Sequence, residues 1–205
     1  MKEIQVFNND IPFDFNLEGD IAIDTETMGL NLFRDRLCVI QMSNDLGDAT
    51  LVKFDGNDYS APNLRKLLSD QSKTMIFHYA RFDVAVIKKF LNVRIEKIFC
   101  TKIASKLIRT YTDSHGLKEL CRELLNTQLS KQQQSSDWGS PSLSKEQITY
   151  AASDVIYLHQ IKNLLETMLI RENRLLIAEK LFQFINIRVE LDLMGFENCD
   201  IFAHH

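Results

Sequence analysis

The 205-residue chain is 45% hydrophobic and carries a formal charge of -4, with a pI near 5.7. That length suits one well-packed core and excludes two generous domains. No run approaches the roughly 20 consecutive apolar residues of a membrane span and no leader-like N-terminal segment stands out, so a soluble, cytoplasmic protein with no membrane partner is expected.

The acidic balance argues against a wholesale nucleic-acid binder, but the charge is uneven. Residues 1–60 hold twelve acids and four bases, whereas residues 100–134 hold six bases and three acids. A local surface for an anionic ligand fits this pattern, and so does a set of solvated helix faces. The four cysteines form no CxxC pair. Reduced, mostly buried thiols are expected rather than a zinc site or a disulfide framework.

In chain order, "EIQVF", "DIAIDTE", "RLCVIQMS", "ATLVKF" and "KTMIFH" are short, β-branched runs separated by Gly, Asn and Asp. They predict five strands. The period then becomes helical over 81–91, 101–109 and 116–126. Ser144 and Gln147 stand at capping-box spacing, which predicts one long helix through "SLSKEQITYAASDVIYLHQIKNLLETML". A last, unusually apolar helix is predicted over about 171–194, either as core packing or as a subunit interface. Strands followed mainly by helices indicate an α/β fold with a mixed five-stranded sheet flanked by helices and a helical C-terminal extension.

Within "IAIDTETMGL", Asp24 and Glu26 lie two apart on a strand and so project from one face. Two carboxylates held that closely repel unless a cation lies between them, and hard divalent cations prefer such oxygen ligands. Asp83 follows the last strand in "HYARFD", at a turn from strand to helix. Asp154 lies four residues after Tyr150 on the predicted long helix, so phenol and carboxylate share a face one turn apart. Taken singly, each is an ordinary surface acid or packed tyrosine.

Taken in order, "DTET", "HYARFD" and "YAASD" resemble the three motifs of the DEDD superfamily of 3′-to-5′ exonucleases, in its tyrosine-bearing DEDDy branch. "TKIASKL", "HGLKELC" and "SKQQQSSDW" between them are similar to ribonuclease D, over about residues 18–170. The resemblance implies a ribonuclease H-like (DnaQ-like) exonuclease fold, with an exonuclease domain over 1–170 and residues 171–205 as an extension. Ribonuclease D carries further helical nucleic-acid-binding domains that this length does not hold, which turns expectation away from structured tRNA precursors. The stand-alone length and the opening "DTETMGL" look closest to the nano-RNase C type of oligoribonuclease, whose members form homo-octamers and split diribonucleotides.

By that resemblance, Asp24, Glu26, Asp83 and Asp154 hold two divalent ions, Mg²⁺ or Mn²⁺, and Tyr150 orients or helps deprotonate the attacking water. Two ions roughly 4 Å apart serve the attacking and departing oxygens of such a displacement. Leu30 matches an apolar wedge between two bases, His78 a contact to sugar or phosphate, and Lys131 and Gln134 the substrate's phosphate end. Trp138 either stacks on a base or anchors its loop. The expected substrate is short RNA, a dinucleotide above all. The alternatives are a broader exonuclease on tRNA ends or DNA, and an inactive nucleic-acid-binding module.

Overall fold

The computed structural model describes residues 4–56, 58–130, 133 and 135–204. Its sheet has six strands: β1 (Ile4–Asn8), β2 (Ile21–Thr27), β3 (Leu37–Ser43), β4 (Ala49–Lys53), β5 (Met75–Phe77) and β6 (Ile98–Cys100), in the spatial order β1-β4-β3-β2-β5-β6. β2, β3 and β4 are an antiparallel meander, while β1 joins β4, and β5 and β6 continue from β2, all in parallel. Every residue of the central β3 is buried, so this strand reads as an apolar run interrupted only by Gln41 and Ser43.

The sixth strand departs from the expected five. β6 has three residues, too few for a period-2 pattern to show, and it forms because Met75–Phe77 offers it a parallel partner. Helix α1 (Pro62–Leu68) is likewise absent from the sequence reading. Proline in its first turn, with Leu64 and Leu68 buried one turn apart, was its signal. Helices α2 (Ala80–Leu91), α3 (Thr101–Ile108) and α4 (Leu117–Leu125) fall where the period placed them.

The expected single helix from 144 is two, α5 (Lys145–Val155) and α6 (Leu158–Arg171). Its start is as read: the Ser144 hydroxyl accepts from Gln147 N at 3.1 Å, and Gln147 Oε1 accepts from Ser144 N at 2.9 Å. Ala151 and Ala152 of α5 close a small apolar layer with Val39, Leu51 and Trp138, while Val155 at its end joins Leu158, Ile161, Leu165 and Leu169 of α6 in the main core.

The last helix is α7 (Leu175–Leu191), followed by a π-helical turn over Asp192–Phe196. It starts later than 171 because Asn173 takes a left-handed φ of 55° and ends α6 first. One face of α7 buries Ala178, Phe182, Ile185 and Val189 in the core; the other exposes Leu176, Ile177, Leu181 and Ile187. No described helix is long and apolar enough to cross a membrane. Cys38, Cys100 and Cys121 are free and buried, and Cys199 is free and exposed.

Candidate active site

β2, β5 and β6 run parallel, so their C-terminal ends share one edge of the sheet, the edge at which open α/β sheets place their ligands. Asp24 and Glu26 lie on β2 near that edge, beside a register shift between Glu26 and Thr27 that marks a bulge. Their common face looks onto α5. There Asp154 meets them, and one carboxylate oxygen from each of Asp24, Glu26 and Asp154 lies within 4.8 Å of the others.

Asp83 arrives differently. The chain leaves β5, turns through Tyr79 in the left-handed conformation (φ 72°), and enters α2, whose first turn carries Asp83. Thr25, pointing to the opposite face from its two acidic neighbours, donates its hydroxyl to Asp83 Oδ1 at 2.7 Å. The fourth acid therefore borders the close trio with one oxygen already occupied. Gln41, opposite Asp24 on β3, donates its Nε2 to Asp24 Oδ2 at 2.6 Å, while its buried Oε1 accepts nothing from the described residues.

The electrostatics express a shortage of cations. Burial, then the charges of Asp83, Asp154 and Glu26, push the Asp24 carboxyl well above the usual range. Burial together with Asp154 and Asp83 pushes Glu26 up to about 9. Burial also pushes Asp83 and Asp154 up to about 7, against the hydrogen bonds that Thr25 and the Tyr150 phenol donate to them. Among the described residues none of the four is in an ion pair. The half-buried Asp24, Glu26 and Asp154 and the buried Asp83, converging without a basic partner among the described residues, are an oxygen-donor set suited to a hard divalent ion.

The four acids and Tyr150 line a cleft of about 350 Å³ together with His78 and Leu30. Leu30 stands at its rim with 83% of its surface exposed, free to meet a ligand. Burial and the charges of Asp154 and Glu26 raise the Tyr150 phenol above its ordinary value. Lys131 and Gln134 lie outside the described residues. Trp138 is 3% exposed and packs beside Tyr150, ring centroids 6.1 Å apart, so it anchors its loop.

Sequence reasoning missed Thr25, Gln41 and two cations of the cleft, Lys102 and Lys118. Lys102 holds its ammonium 4.4 Å above the Tyr79 ring. A polar residue inside the apolar run "RLCVIQMS" was the available signal for Gln41. Arg81, although two residues from Asp83, turns away: its Nε and Nη2 donate to Asp192 at 2.6 and 2.8 Å, and Nη2 also to the Glu197 carbonyl at 2.7 Å.

The sequence profile of a 3′-5′ exonuclease family matches residues 10–170. The chain belongs to this exonuclease family. It is 53% identical to Brucella melitensis NrnC bound to pGG, with a TM-score of 0.95 over 98% of both chains. With the Mg²⁺-bound form of that protein it shares 52% identity and a TM-score of 0.93, over 98% of this chain and 99% of the other. The ribonuclease D of Acidiphilium cryptum is 28% identical over 158 residues, 77% of this chain and 40% of that protein. The exonuclease thus spans about two-fifths of the length of the curated ribonuclease D relatives. The ribonuclease H-like architecture expected from the motifs is the one observed, with one strand more.

Proposed function

We propose that this exonuclease is a divalent-metal-dependent 3′-5′ exoribonuclease that hydrolyses very short RNA, diribonucleotides above all, to nucleoside 5′-monophosphates in the last step of RNA decay. The convergence of Asp24, Glu26 and Asp154 within 4.8 Å, with Asp83 alongside, carries this reading. Likeness over nearly full length to a protein bound to pGG supports the short substrate.

The four carboxylates would hold two divalent ions, Mg²⁺ or Mn²⁺, which acidify water and neutralise charge gathering on the phosphate. Water attacks phosphorus and gives up one proton, the bond from phosphorus to the 3′ oxygen breaks, and that oxygen takes up a proton in turn, so the hydrolysis balances. Gln41 fixes one oxygen of Asp24 and Thr25 one of Asp83, so the remaining oxygens point in set directions. Tyr150 orients or helps deprotonate the attacking water; with a phenol pKa that begins near 10 it is an inefficient free base at neutral pH, so the ions would supply much of the acidification.

Leu30 is the wedge between the two bases, and Lys131 and Gln134, outside the described residues, are by resemblance alone the contacts to the substrate's phosphate end. Few cations suffice for one or two phosphates, which agrees with the acidic pI. The exposed apolar face of α7 is a self-association surface, with an octamer as the assembly implied by resemblance. Residues 171–205 are on this reading an extension of the catalytic unit, and the site of action is the cytoplasm. The deciding experiment is timed hydrolysis of end-labelled RNAs of two to about seven nucleotides, with and without divalent metal. Dinucleotides should be cleaved fastest; trimming of a 20-mer at the dinucleotide's rate would replace this reading with a broader ribonuclease D-like activity.

A further inference from the structure

Arg81 is the base nearest in sequence to the acid cluster, yet among the described residues it pairs with none of the four acids. It turns to the C-terminal end of the chain. Asp192, 2% exposed at the start of the π-helical turn, accepts from Arg81 Nε at 2.6 Å and from Arg81 Nη2 at 2.8 Å, and Arg188 Nη2 lies 2.9 Å from its Oδ1. Gly195, at φ 95°, then folds the chain back, and backbone carbonyls take further guanidinium hydrogens. Arg81 Nη2 donates to that of Glu197 at 2.7 Å, and Arg188 donates to those of Phe196, Glu197 and Cys199 at 2.8, 3.0 and 3.0 Å. One buried carboxylate, tolerated only because it is so partnered, thus joins two arginines to the chain end.

What the clamp holds is the start of α2. Tyr79 supplies no side-chain cap there, so the first turn lacks the usual anchor of a helix N-terminus. Residues two apart on a helix point about 200° apart, so Arg81 grips one side of this turn while Asp83, on the other, meets Thr25 and the acid cluster. The partition between clamp and chemistry is one residue thick. A cavity of about 250 Å³, lined by Arg81 and Asp192, shares Leu30, Tyr79 and Phe82 with the catalytic cleft.

We propose that Arg81 and Asp192 are positioning residues: by pinning the first turn of α2 to the C-terminal turn, they fix where the Asp83 carboxylate stands relative to Asp24, Glu26 and Asp154. The segment after α7 is then part of the frame that holds the site. This inference rests on the metal-dependent reading given above and adds to it two residues that act through Asp83 rather than on the reacting atoms.

The test is Arg81→Met, which keeps an apolar stem and leaves Asp192 paired with Arg188, so the chain end retains an anchor. Titration calorimetry should show Mn²⁺ affinity weakened roughly tenfold, the scale for losing a group that orients a metal ligand. At saturating Mn²⁺, kcat on a diribonucleotide should fall while KM stays at the wild-type value. Combined with Thr25→Val, the loss of Mn²⁺ affinity should fail to multiply, because both variants act on Asp83. Arg81→Lys keeps the charge but not the two-pronged grip, and should lose less in the same direction; it carries the test if the methionine variant does not fold.

Variants that bind Mn²⁺ as wild type does, whatever happens to Tm, would overturn the inference and leave the pair a structural clamp. Losses that multiply cleanly with Thr25→Val, or a rise in KM with kcat unchanged, would overturn it equally. A wild type that binds no Mn²⁺ would bring down the metal-dependent reading and this inference with it, whereas a wild type that binds beside variants that bind equally well brings down the inference alone.

Discussion

Thr25 stands between the two acids of β2 yet faces away from them, and from there its hydroxyl holds Asp83 at 2.7 Å. The alternation of a strand thus sends Asp24 and Glu26 to α5 and uses the residue between them to fasten the acid of α2. Thr25→Val should weaken Mn²⁺ binding by at least tenfold, the usual cost of losing an outer partner of a metal ligand, while Thr25→Ser retains it. Titration calorimetry on both variants checks this.

Gln41→Leu should act in the same direction through Asp24, whose Oδ2 loses its donor. The expected signature is weaker metal binding without loss of thermal stability, because the variant also removes the unpartnered Oε1 from the interior. A lower Tm with unchanged metal affinity would make Gln41 a packing residue only.

Metal-free protein should become less stable as pH rises. Asp83 and Asp154 titrate at about 7 and Glu26 at about 9, all above their unfolded values near 4. For acids shifted upward, the stabilising contribution is complete below the unfolded pKa and is lost as pH climbs through the folded one. The metal-free Tm should therefore fall between pH 5 and about 9. Saturating Mg²⁺ or Mn²⁺ should flatten this decline and raise Tm most at high pH, where the ligands are already deprotonated. Thermal scans across pH, with chelator and with metal, measure both slopes.

Glu26→Gln replaces a carboxyl that burial and its acidic neighbours keep protonated up to about 9 with a permanently neutral amide. The metal-free variant should melt higher at pH 8 than wild type, by about 2–4 °C for each kcal/mol of that protonation cost removed in a chain of this size. Hydrolysis and the metal-induced rise in Tm should both be lost.

With Arg81 committed to Asp192, the described cations of the cleft are Lys102 and Lys118. Two phosphate contacts on a single strand give a slope of about -1.4 for log kcat/KM against log salt concentration. A slope several times steeper would point to a long-polymer track. Independently, charging the open face of α7 with Ile177→Asp and Leu181→Asp should lower the mass measured by light scattering.

The candidate site was legible because each part obeys a local period: two residues on a strand for Asp24 and Glu26, four on a helix for Tyr150 and Asp154. What supports it was not. Gln41 and Thr25 matter through partners 17 and 58 residues away, a pairing fixed by strand register and by the docking of α2. β6 was invisible for its shortness, and with it the adjacency of His78 and Thr101. The break between α5 and α6 falls at Ile156–Tyr157, where no glycine or proline announces it.

Tyr79 occupies a left-handed backbone position that a glycine would fill without complaint, a tension of about 1–2 kcal/mol for a residue with a side chain. Its ring lies under the Lys102 ammonium at the mouth of the cleft. The loop between histidine and aspartate is consequently a place where durability and catalysis pull apart. Tyr79→Gly would release that backbone tension and at the same stroke withdraw the ring on which the Lys102 ammonium rests.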